Sequence, residues 1–199
     1  MKFSRIEKRD LFYAGIIISL AFAILFAGGY QALISLNSGF IVAFVIAFLT
    51  AGVGFLLHEL MHKYVAQSYG LKAEFRAFYP MLWLSLLFSL FGFIIAAPGA
   101  VFIGGGFINK DKNGKISLAG PMTNIVLSII FLLIFLVASA GGIVGESAKV
   151  GFAINSLLAA FNMIPVMPFD GVKVLAWNKV WYALTVIVAV GLFVLSWFI

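Results

Sequence analysis

The only two histidines of this chain stand four residues apart, in His58-Glu59-Leu60-Met61-His62. On a helix, positions i and i+4 share a face, so both imidazoles can reach one metal ion while Glu59 projects to the side, where it can hold a water molecule. This is the H-E-x-x-H arrangement of zinc hydrolases, in which the glutamate acts as general base. A catalytic zinc takes three protein ligands and keeps a fourth position for water. The chain has no third histidine and no cysteine, so the remaining ligand has to be a carboxylate.

Six carboxylates are available besides Glu59: Glu7, Asp10, Glu74, Asp111, Glu146 and Asp170. Glu7, Asp10 and Asp111 sit among basic residues in stretches that read as solvated, Glu146 falls on the outer face, and Glu74 lies in the loop after the histidines. Asp170 stands at the end of an apolar segment, after Asn162-Met163-Ile164-Pro165-Val166-Met167-Pro168-Phe169, whose two prolines open the helix and free backbone groups. A plain proline-capped helix end, with Asp170-Gly171 as a turn, is the other reading of that run.

The elements that must carry these residues are apolar. Of the 199 residues, 64% are hydrophobic and only 10% charged, against roughly a quarter charged in an ordinary soluble domain. The solvent this composition suits is a bilayer, which a helix of about 20 residues crosses. The expected fold is an all-α polytopic membrane protein of about five transmembrane helices plus a re-entrant or hairpin segment. The apolar segments run over residues 11–27, 40–67, 81–103, 116–140, 150–168 and 180–199, and the third is interrupted by Pro98-Gly99. Without repeats or long linkers, residues 1–199 read as one membrane-embedded domain. Lys2, Arg5, Lys8 and Arg9 ahead of the first segment resemble a secretory signal, but the length of the run and the spans that follow favour an uncleaved first helix. The net charge of +6 is dispersed, which points to topology and not to nucleic-acid binding.

If residues 81–103 dip in and return to the same face, every Lys and Arg except Lys149 lies on the cytoplasmic side, with the N-terminus. The alternative, in which that segment crosses, scatters the basic residues over both faces. The re-entrant arrangement also brings His58, His62 and Asp170 to the same, cytoplasmic, side of the membrane, whereas the crossing one separates them. Charge distribution and ligand geometry therefore select one topology.

At these residues the sequence resembles the site-2 protease family, intramembrane zinc metalloproteases that cut membrane-embedded substrates. The family pattern of H-E-x-x-H on one span and N-P-x-P-x-x-P-L-D-G on a later one is matched at His58 to His62 and at Asn162 to Gly171. Met163 stands in place of the first proline and Phe169 in place of the leucine. Ala119-Gly120-Pro121-Met122-Thr123-Asn124 looks like the family's G-P-x-x-N. The resemblance implies one Zn2+ held by His58, His62 and Asp170, catalysis by Glu59, a substrate or oxyanion contact from Asn162, and a membrane-spanning protein or peptide as substrate. It implies a multi-pass protein of the cell membrane. A transporter using the buried His, Glu and Asp as a proton or metal relay, and an idle family member acting as a scaffold, are the competing readings.

Other features are secondary. Lys63 falls near the end of the histidine helix. Residues 69–79, with alternating Lys72, Glu74 and Arg76, suggest a short β-strand at the cytoplasmic surface, and residues 109–115 read as a solvated loop near lipid headgroups. Gly104-Gly105-Gly106 reads as a connector, and Gly52 and Gly54 as sites of close helix approach.

Overall fold

The computed structural model describes residues 1–31, 38–94, 98–138 and 142–199. Its elements are α1 (Arg5–Phe26), α2 (Ser38–Ala47), a π-helical turn (Phe48–Gly52) leading into α3 (Val53–Ser68), β1 (Lys72–Ala77), α4 (Tyr79–Leu90), β2 (Gly99–Gly104), α5 (Lys110–Val137), α6 (Ile143–Asn162), α7 (Asp170–Trp177) and α8 (Lys179–Leu195). Among the described residues four helices are long and apolar enough to cross a membrane: Arg5–Phe26, Gly39–Ser68, Lys110–Val137 and Ile143–Asn162. α8, at 17 residues, is shorter. The two strands pair with each other in a small sheet.

The apolar segments of the sequence recur as helices with shifted ends. Ser4 caps α1 by accepting from the Glu7 backbone amide, so the helix starts ahead of residue 11. The stretch at residues 109–115 is not a loop. Asn109 is an N-cap whose side chain accepts from Lys112 N–H at 2.8 Å, and the charged residues after it form the first turns of α5. Polar composition suggested a loop, and the capping asparagine turns it into a solvated helix start. α6 also begins early and stops at Asn162, because Pro165 and Pro168 cannot continue it. The far end of the 116–140 segment and residues 95–97 of the 81–103 segment lie outside the described residues.

The 81–103 segment is not a single helix. α4 has 12 residues, about 18 Å, against a hydrocarbon core of about 30 Å. It ends in a turn at Phe91-Gly92, where Gly92 takes φ 86°, and Pro98-Gly99 opens a strand. The segment is therefore broken already ahead of Pro98-Gly99, at a glycine free to adopt a left-handed conformation.

The chain divides into two compact units. One holds residues 2–56 and 74–102. Its core is Ala14, Ile17 and Ile18 of α1 with Phe55, Phe75 and Leu82, and the rings of Phe55 and Phe75 meet edge to face at 5.9 Å. A Cβ on Gly52, in the π-turn, would collide with Ser19 of α1, so this glycine does permit close helix approach. Glu7 and Asp10 are buried, contrary to the solvated setting expected from their basic neighbours. The Glu7 carboxylate accepts from Phe75 N–H at 2.9 Å, and Asp10 accepts from Ala77 N–H at 3.3 Å and from the Tyr79 hydroxyl at 2.8 Å. Two helix carboxylates thus satisfy alternate amides of β1.

The other unit comprises residues 57–73 and 103–199, with Met1. Here α5 packs along α6 and against α7, and α6 also meets α8. Ile125, Ala159 and Ala189 form an apolar centre between α5, α6 and α8. Gly151 faces the Phe131 ring, and Ser128 donates to the Phe152 carbonyl at 3.2 Å, which holds α5 and α6 close.

Candidate metal centre

All the residues described below belong to that second unit. His58 and His62 lie on one face of α3 with ring centroids 4.7 Å apart and planes at 84°. Both are buried, as is Glu59 between them, and one ligand atom from each of the three lies within 4.8 Å of the others.

Each imidazole is oriented through Nδ1. His62 Nδ1 meets the Ile116 carbonyl at 2.7 Å, an acceptor only, so this nitrogen carries a hydrogen. For His58 the assignment follows from a relay ending on another carbonyl. Gly151 C=O must accept, so Asn155 presents its NH2 there at 2.9 Å and its oxygen to Asn124. Asn124 then donates to Asn155 Oδ1 at 3.0 Å and turns its own Oδ1 to His58 Nδ1 at 2.5 Å. His58 is therefore a donor at Nδ1, and in the neutral form of each imidazole the Nε2 lone pair is left for a ligand.

Asp170 Oδ2 approaches those same nitrogens, 3.0 Å from His62 Nε2 and 3.4 Å from His58 Nε2. Two lone pairs and a carboxylate oxygen converge, an arrangement that repels itself unless a proton or a cation sits between them. Ligands at about 2.0–2.1 Å from a tetrahedral ion are about 3.3 Å from one another, so the three atoms fit one zinc ion.

The local sequence explains why the carboxylate arrives there. Pro165 and Pro168 break the chain between α6 and α7, and the Met167-Pro168 peptide is cis. Asp170 opens α7, where the positive end of the helix dipole favours its charge. Gly171 lies against the Met163 carbonyl with no space for a Cβ, so the Asp170 turn packs on the backbone of the proline run. At the other end of α7 the Trp177 ring fills the notch at Gly114, and its Nε1–H donates to Asp111 Oδ1 at 2.9 Å. On α5, a Cβ at Gly120 would press on Nε2 of both histidines.

Comparison with known proteins bears on what such a site is for. The chain is 42% identical over 160 residues to "Putative zinc metalloprotease MJ0611" of Methanocaldococcus jannaschii, covering 79% of this chain and 84% of that protein. The chain belongs to a site-2 protease-like family of zinc metalloproteases. It is also 26% identical to "Zinc metalloprotease MJ0392" of the same organism, over 67% of this chain and 34% of that protein. A third relative, "Putative zinc metalloprotease YwhC" of Bacillus subtilis, is 27% identical over 64% of this chain and 66% of its own length. No family model matches the chain, and no solved structure matches it.

Within this member of the family, the structure brings His58, Glu59, His62 and Asp170 into one cluster. Asn162 ends α6, and its carboxamide donates to the Leu158 carbonyl of its own helix at 2.9 Å. Lys63 is fully buried. Sequence reasoning passed over the roles of Gly120, Asn124, Asn155 and Lys173. Asn124 and Asn155 did carry a signal, since amides buried in apolar helices need partners. Lys173, whose Nζ lies 3.7 Å from Asp170 Oδ1, stands one turn after Asp170 on a helix the sequence reading did not foresee.

Proposed function

We propose that this protein is a zinc-dependent endopeptidase that hydrolyses peptide bonds of membrane-spanning protein or peptide substrates. The observation that carries the reading is Asp170 Oδ2 facing both free imidazole nitrogens, with Glu59 beside them. His58, His62 and Asp170 would hold the metal, and two neutral ligands with one carboxylate leave a net charge near +1. Zinc, when bound, supplies a Lewis acid that polarises the scissile carbonyl and makes water nucleophilic near neutral pH.

The protein's residues do the rest. Glu59 takes the proton of the attacking water and returns it to the leaving amine. Asn162 has a second amide hydrogen to offer the charge that develops on the carbonyl oxygen. A helical substrate hides its carbonyls, so it has to unwind before cleavage. The irregular run between α6 and α7, with Val166 and Met167 exposed, offers backbone groups to an extended segment. His58 lies about 15 Å along its helix from Ser68, within reach of water entering from that end.

The membrane reading rests on the four long apolar helices and on the basic residues that share one side when 81–103 re-enters. The protein then crosses the cell membrane several times, with its N-terminus and active site toward the cytoplasm. A cysteine introduced at Lys112 will be labelled from the cytoplasmic side by an impermeant reagent, and labelling from outside alone would refute this orientation.

The deciding experiment incubates purified protein with a membrane-anchored reporter. Wild type will cleave it, a zinc chelator will stop cleavage, and Glu59→Gln will lower turnover about 10²–10⁴-fold while still binding one zinc per chain. Cleavage unchanged in both arms would sink the metallopeptidase reading.

A further inference from the structure

The two oxygens of the Asp170 carboxylate face different partners. Oδ2 points at both imidazoles, 3.0 and 3.4 Å away, while Oδ1 lies 3.7 Å from the ammonium of Lys173. Lys173 comes three residues after Asp170 on α7, so the two side chains share a helix face. The Asp170 side chain is 12% exposed, whereas Lys173 is 35% exposed, so the lysine reaches the buried carboxylate from the solvated side.

A carboxylate can bind a metal through one oxygen or through both. With both oxygens bound, three residues would supply four donor atoms and the water a fifth, leaving no open position at which a scissile carbonyl could be polarised. We infer that Lys173 is a positioning residue that occupies Oδ1 and so holds Asp170 to ligation through Oδ2 alone. The inference rests on the zinc reading above and deepens it. Lys173 needs no contact with the substrate or the attacking water in this role. It acts through the carboxylate, as the partners behind metal ligands commonly do.

The test uses the full chain in detergent with cobalt in place of zinc, because the visible absorption of Co2+ weakens sharply as its coordination rises from four to five. Wild type, Lys173→Met, Lys173→Gln and Lys173→Arg are compared at equal measured cobalt content and with thermal unfolding as the check on folding. Wild type and Lys173→Arg will show the strong four-coordinate absorption. Lys173→Met and Lys173→Gln will show it weakened several-fold, and with zinc their kcat will fall about 10–100-fold with KM little changed. A wild-type spectrum in the Met and Gln variants overturns the inference, even if their activity drops, and so does failure of arginine to restore the spectrum. Failure of the wild type itself to take up cobalt would instead overturn the metallopeptidase reading.

Discussion

At the scale of single residues, the cluster depends on groups that never touch the metal. Asn124 fixes the His58 tautomer, and Asn155 fixes Asn124, through contacts of 2.5 and 3.0 Å. Replacing Asn124 by Leu removes the acceptor for His58 Nδ1–H and is expected to weaken zinc binding about 10–100-fold, read by competition with a chelator. Asn155→Leu will weaken it less, because Asn124 can keep its contact to His58 while losing its own anchor. The double variant will fall short of the sum of the two, since both act through one imidazole. Equal and additive losses would show that the relay does not work as a chain. His58, Glu59 and His62 were legible from spacing alone, because a chain with two histidines cannot hide their relation. Lys173 was not, because its direction depends on α7 resuming after two prolines.

At the scale of elements, α5 is held near the histidines by a missing side chain. A Cβ at Gly120 would press on both Nε2 atoms, whereas at Gly191 of α8 it would meet open space. Gly120→Ala will therefore lose most zinc binding, read as bound metal per chain. Gly191→Ala will leave metal binding intact and hold or raise thermal stability by about 0.4–1 kcal/mol, the usual gain from a helical Gly→Ala change. Hydropathy showed where the long helices run but not where they begin. Ser4 and Asn109 start α1 and α5 inside stretches whose charge suggested solvated chain, and only the cap geometry distinguishes a helix start from a loop. The 81–103 segment holds an earlier break that was not legible, because proline is a louder signal in sequence than a glycine at φ 86°.

At the scale of the whole molecule, seven acidic residues serve an unusually apolar chain, and four of them are buried. Glu59 and Asp170 lie with the two histidines in the candidate metal centre, while Glu7 and Asp10 bind strand amides in the other unit. Glu7→Leu would strand the Phe75 N–H in an apolar core and cost about 1–3 kcal/mol. Its thermal midpoint will fall well below that of Glu7→Gln, which keeps an acceptor. Equal midpoints would show that the carboxylate does not hold the strand. Composition assigned the chain to a bilayer, and basic residues suggested its orientation. Neither could separate a solvated carboxylate from a buried one, because Lys and Arg neighbours at Glu7 and Asp10 look the same in both cases.

The short helix α7 is fixed by its phase. Asp170 points to the imidazoles, Lys173 to the free oxygen of Asp170, and Trp177 into the Gly114 notch, at spacings that keep all three on one side of the helix. Adding or removing one residue between Asp170 and Trp177 would rotate one end against the other by about 100°. The carboxylate and the indole could then no longer both be seated, so this connector is a ruler whose length matters as much as the residues at its two ends.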